Sequence, residues 1–291
     1  MDAVLKLVFE IGMVLIFLLC LIDAHRKGRR RILELVGAAL AGLLLEVLAI
    51  IYLGIYDYFN GFLLVVMDVP ICIGLGWGIA VYISMGISDN LGLGRGVRPV
   101  IDGLLALNID LALDVVAIRI GFWNWEYGGF FGVPYINYVV WFTFVYCCSV
   151  TIRWIRTEGL ENVQGWNLPH GFLLVPFGAI DNLMKRTWSI ICALLLVWRI
   201  SSKVSHKVVE EAPLKFEPLM FTGLSAIHIF FLAVLIWNRW FGIIWLLVIS
   251  LAMLALGAFL HLVPLVHRIG IHRDKRGYGP VPAIVTQFMR L

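Results

Sequence analysis

The run DGLLALNIDLALD places Asp102, Asp110 and Asp114 at intervals of eight and four. Four residues advance an α-helix by about 400°, so the three acids share one slowly drifting face, with Asp110 and Asp114 as direct neighbours. Residues 121–141 follow, GFWNWEYGGFFGVPYINYVVW, in which nine of twenty-one side chains are aromatic around a lone carboxylate, Glu126. Two carboxyls that close in an apolar setting cannot easily both ionise, so one is expected to keep its proton. Aromatic faces attract cations within about 6 Å. A proton donor beside electron-rich rings is what protonation of an alkene requires: an acid to deliver H⁺, then π-faces to steady a tertiary carbocation. Two plainer readings stand beside this one. Asp110 or Asp114 could pair with Arg119, and the aromatic residues could form a belt at the membrane interface.

The spacing within the aromatic run sorts its side chains. In an extended stretch Trp123, Trp125 and Tyr127 share one face while Asn124 and Glu126 take the other. Gly121, Gly128, Gly129 and Gly132 permit tight turns, Pro134 suits a helix start, and Asn137 and Trp141 sit one turn apart on the helix that follows. Further acids fall in apolar segments: Glu34 and Glu46 upstream, and Asp68 beside Pro70. An ionisable group at bilayer depth costs at least about 2.5–3.5 kcal/mol, so each must face a cavity or a partner.

The elements that hold these residues are apolar helices. The 291 residues are 61% hydrophobic and 14% charged, where soluble domains carry roughly 25% charged residues. The expected fold is an all-α, polytopic integral membrane bundle of seven to eight transmembrane helices, one domain over residues 1–291 with a basic tail at 265–291. Spans are expected near 4–22, 32–55, 62–85, 98–119, 134–154, 219–237 and 241–263, each close to the roughly 20 residues a crossing needs. The stretch 171–200 reads as two short apolar pieces split by Asp181 to Arg186, a broken or re-entrant pair. Basic residues at 29–31, 95 and 98, and 153 and 156 place 23–31, 86–98 and 153–170 in the cytoplasm, and 56–61 and 120–133 outside. The basic cluster at 25–31 follows the first apolar run, so that run reads as a retained span and not as a cleaved signal. Cys20, Cys72, Cys147, Cys148 and Cys192 lie in apolar segments without metal-like spacing and read as small buried hydrophobes.

Asp114, the Gly121-Phe122-Trp123-Asn124-Trp125 run, Gly132-Val133-Pro134-Tyr135-Ile136-Asn137-Tyr138 and Trp141 together resemble the signature of a carotenoid-biosynthesis membrane family, which includes carotenoid 1′,2′-hydratases and bisanhydrobacterioruberin hydratase. An upstream block is similar too: Glu46, Gly54-Ile55-Tyr56-Asp57-Tyr58, Val69-Pro70 and Trp77. The likeness spans roughly residues 35–145. It departs from the pattern at Val140, where the family has Gly, and at Leu53-Gly54-Ile55, where it has Gly-Phe-Gly. The resemblance implies a cofactor-independent lyase that adds water to a terminal double bond of an acyclic carotenoid, with no metal. It places Asp114, coupled to Asp110, as proton donor and Glu46 as reserve acid. Trp123, Trp125 and Trp141 would steady the cation, Glu126 or Asn137 would orient water, and Tyr127, Tyr56, Tyr58 and Trp77 would line the substrate site. Partners would be an isoprenoid substrate, water and the lipid of the cell membrane, with no nucleic acid.

Two other functions fit the same residues. Asp110 and Asp114 form a D-x-x-x-D that resembles half of the aspartate-rich signature of membrane prenyltransferases, which hold a diphosphate through Mg²⁺; a second acidic cluster is not evident. A non-enzymatic lipid binder or transporter could use the same acids for proton coupling. The Gly-rich 91–96 lacks a preceding strand for nucleotide binding, His261, His267 and His272 read as part of a basic tail, and no G-x-S-x-G elbow occurs.

Overall fold

A computed structural model describes residues 2–158, 218–238 and 243–274, except the single positions 55, 92, 95 and 127. The stretch 171–200 and the basic tail beyond 274 lie outside the described residues. Helices α1 (Asp2–Lys27) and α2 (Arg29–Leu48) are joined by Gly28 alone, whose φ of 113° no side-chain-bearing residue adopts readily. The basic cluster expected in a loop therefore belongs to the two helix ends. After α2 the backbone widens into a π-helical turn, Ala49–Leu53, closed by Gly54 in the left-handed region at φ 56°. Such turns shift side-chain register and recur at functional sites; this one follows directly on Glu46.

Three short strands come next: β1 (Tyr56–Tyr58), β2 (Val65–Val66) and β3 (Val69–Pro70). The turn between β2 and β3 has φ 49° at Met67 and 64° at Asp68, the positive pair of a type I′ hairpin. The third span was expected from residue 62, but α3 runs Ile71–Asn90. Hydropathy sees one apolar run across 62–85, whereas Pro70, which has no N–H to donate, starts the helix. Asp68 is thus exposed at a hairpin tip and lies outside α3.

Helix α4 (Arg98–Ala117) carries the aspartates, and β4 (Trp123–Trp125) returns to pair antiparallel with β1 in the register Tyr56↔Trp125, Asp57↔Asn124, Tyr58↔Trp123. Helices α5 (Tyr135–Glu158), α6 (Pro218–Trp237) and α7 (Ile244–Asp274) complete the described bundle. Among the described residues, four helices are long and apolar enough to cross a membrane: Ala3–Lys27, Arg29–Ile51, Ile71–Asn90 and Tyr135–Thr157. Two shorter apolar stretches, Gly223–Trp237 and Ile244–Phe259, lie in α6 and α7.

Close helix contacts fix where the site residues stand. A Cβ on Gly42 of α2 would lie 2.2 Å from the Cβ of Trp77, and one on Gly78 of α3 would lie 2.8 Å from that of Ala39. The two helices approach through these glycines, as small residues allow between apolar helices. At the end of the bundle away from β1 and β4, charged groups bind one another. Arg153 bridges Asp89 at 2.6 Å and Asp102 at 2.9 Å, Arg98 reaches Asp89 at 3.3 Å, and Arg156 reaches Asp89 at 3.2 Å and Glu34 at 2.7 Å. Ser149 also donates to Asp102 at 2.6 Å. Asp102 therefore ties α4 to α5 and does not join the other two aspartates, contrary to the shared face expected from helical spacing.

Candidate active site

The π-turn after Glu46, the β1–β4 ribbon and the first turns of α5 roof a cavity of about 300 Å³ in the bundle. Its two acids are Glu46, from α2, and Asp114, from α4. Both are buried. Glu46 accepts three hydrogen bonds: from the Tyr56 hydroxyl at short range, from the Tyr58 hydroxyl at 2.9 Å and from Trp77 Nε1 at 2.7 Å. Three donors thus converge on one buried carboxyl, two from β1 and one from α3. Burial first, then the neighbouring Glu46 carboxylate, pushes the phenols of Tyr56 and Tyr58 far above their ordinary range, so both remain donors.

Asp114 is held differently. The single Nδ2 of Asn137 donates to Asp114 Oδ2 at 2.6 Å and to Asp110 Oδ2 at 3.0 Å, so one amide bridges both carboxyls. The other oxygen of Asp110 is buried and has no hydrogen-bond partner among the described residues. Arg119 donates instead to the carbonyls of Val115 and Phe131, and no ion pair joins it to either aspartate among the described contacts. The pair meets an amide where a salt bridge would meet a cation.

Rings close the cavity. Trp123 and Trp125 of β4 line it with Tyr56 and Tyr58 of β1, and cross-strand pairing puts Tyr56 4.6 Å from Trp125 and Tyr58 5.7 Å from Trp123. Alternation along the strand turns both tryptophans inward and leaves Asn124 exposed. Trp77 of α3 stacks on Trp141 of α5 with centroids 4.0 Å apart. A positive charge formed in this space would have electron-rich rings on several sides.

Glu126 is a correction to the expected site: it is exposed and does not line the cavity, being on the outward face of the same alternation. Tyr127 lies outside the described residues. The remaining expected residues, Glu46, Asp114, Asn137, Trp123, Trp125, Trp141, Tyr56, Tyr58 and Trp77, line one space, with Asp110 directly behind Asp114. Val140, a departure from the resembled pattern, lines it too.

Sequence reading missed the contribution of α1. Phe9 and Met13 line the cavity. One turn below, the buried Lys6 donates to the Asn60 carbonyl at 2.7 Å and to the Phe59 carbonyl at 3.3 Å, while buried Glu10 accepts from the Leu63 amide at 3.0 Å. The two side chains pin the loop that follows β1. Their signal was present in the sequence, as opposite charges at i and i+4 inside an apolar helix.

Fold and site together define a helical protein, its long apolar helices fitting a membrane protein, with a buried acid–aromatic chamber at one end. The family described as "Carotenoid biosynthesis protein" matches residues 3–200, and the chain belongs to it. That match reaches well beyond the 35–145 region in which the sequence motifs lie. No curated protein and no solved structure matches the chain.

Proposed function

We propose that the protein is a multi-pass membrane hydratase that adds water to a terminal double bond of an acyclic carotenoid. The observation that carries this reading is the pairing of two differently held acids, Asp114 and Glu46, across one aromatic chamber. Asp114, sharing the Asn137 amide with Asp110, holds a proton and delivers it to the less substituted alkene carbon. The π electrons form the new C–H bond and leave a tertiary cation, which Trp123, Trp125 and the Trp77–Trp141 stack steady. Water adds to the cation, and its surplus proton passes to the Glu46 carboxylate. A proton returned from Glu46 to Asp114 restores the site, so alkene and water give a tertiary alcohol with no change of oxidation state. In this reading Glu46 takes the water-handling role expected of Glu126 or Asn137.

Membrane sidedness belongs to the same proposal. The basic helix ends, gathered at one end of the bundle, face the cytoplasm, and the chamber opens toward the outer half of the bilayer. In this topology α4, α6 and α7 cross as well, giving seven of the seven to eight spans expected from sequence.

The test is expression in a strain that accumulates an acyclic carotenoid, followed by mass spectrometry. The expected product is the substrate plus one water per modified end. An unchanged carotenoid pool with folded protein present would refute the hydratase, and an Mg²⁺-dependent gain of a prenyl group would replace it with a transferase.

A further inference from the structure

The chamber at Asp114 holds about 300 Å³, at the lower limit of the roughly 300–1,000 Å³ of small-molecule sites. It admits the end of an isoprenoid chain; the rest of a long polyene must leave by an apolar route. A second hollow, of about 620 Å³, lies between α2 and α5. Leu45 lines both spaces. Phe144 lines the second and packs edge-on against Trp77 at 4.7 Å, in the wall of the first. A single layer of side chains thus separates them.

The second hollow is a groove along α2 from Leu48 to Arg30, about 27 Å at 1.5 Å per residue, close to the roughly 30 Å of a bilayer's hydrocarbon core. Its floor is apolar over most of that length, and a Cβ on Gly37 would meet nothing within 4 Å. At its far end Arg156 is committed to Glu34 and Asp89, while exposed Arg30 stands at the groove's mouth.

We infer that the α2–α5 groove holds the unreacted polyene of the substrate and so sets its chain length, with Leu45 and Phe144 forming the threshold to the acid chamber. The inference rests on the hydratase reading and fails separately from it. The experiment compares purified wild type with Gly37→Trp and Ala41→Trp, which fill the groove, and with Leu40→Trp, which is exposed on α2 but does not line it. Two substrates are used: a full-length acyclic carotenoid and a short isoprenoid with the same terminal alkene. Filling the groove is expected to lower kcat/KM for the long substrate by at least about tenfold and to change the short one by less than about twofold. Leu40→Trp should alter neither. Long-substrate turnover equal to wild type in both groove variants overturns the inference and leaves the hydration reading standing, whereas no turnover of either substrate by wild type overturns both. Because the short substrate reports on the folded acid chamber, its equal loss in Gly37→Trp and Ala41→Trp, alongside an intact Leu40→Trp, would also overturn a role confined to chain length.

Discussion

The two acids facing the chamber differ in their partners, and the proposed hydration gives them different roles. Glu46 is gripped by two phenols and an indole, whereas Asp114 shares one amide with a second carboxyl. Removing the proton donor is expected to cost about 10²–10⁴-fold in kcat, the usual range for a general acid. Asp114→Asn, which retains shape, should show that loss with a melting temperature close to wild type. Tyr58→Phe deletes one hydrogen bond to Glu46, worth about 1.5–3 kcal/mol where the carboxyl is charged as the proposal requires. If Glu46 takes the proton from water, kcat should fall by roughly 10- to 100-fold, less than for Glu46→Gln; unchanged kcat in Tyr58→Phe would remove Glu46 from the reaction. Most of these residues were legible in the sequence, because acids and aromatics are conspicuous in an apolar chain. What spacing left open was which face of each element turns inward. It grouped Asp102 with Asp110 and Asp114, although Arg153 and Ser149 claim it from α5, a partner 47 or more positions away.

At the scale of elements, the chamber depends on how closely α2 approaches α3. Gly42 has no room for a methyl group against Trp77, so Gly42→Ala must push the helices apart or turn the indole that donates to Glu46. Overpacking of this kind costs about 1–3 kcal/mol. Thermal unfolding in detergent should show that loss together with reduced activity. Gly37→Ala, in open space on the same helix, should be neutral or stabilise by up to about 1 kcal/mol, since alanine is the better helix former. Equal melting temperatures for the two variants would contradict the packing described. The long helices were readable from hydropathy. The β2–β3 hairpin was not, because its valines are as apolar as a span and only the positive φ at Met67 and Asp68 reveals the turn. The β1–β4 pairing joins segments more than sixty residues apart, and no local pattern announces such a partner.

At the scale of the whole molecule, one end of the bundle is locked by charge and the other holds the acid–aromatic chamber. Arg153 is the hub of the lock, joining α5 to Asp89 on α3 and Asp102 on α4. Removing one partner of a buried pair leaves the other uncompensated, at about 3–5 kcal/mol. Arg153→Met is therefore expected to lower the melting temperature markedly, and Arg153→Lys to recover part of the loss. A melting temperature unmoved by Arg153→Met would show that the network is solvated and structurally idle. The separation of lock from chamber also means that such variants, where folded, should keep their turnover per molecule. The proposed hydration turns on Asp114 protonating the alkene inside this chamber. Its most direct test is turnover by purified protein in heavy water. Wild type should yield a tertiary alcohol bearing one carbon-bound deuterium beside the new hydroxyl carbon at each reacted end, and Asp114→Asn should yield none. Product without that deuterium, or full activity in folded Asp114→Asn, would contradict the account.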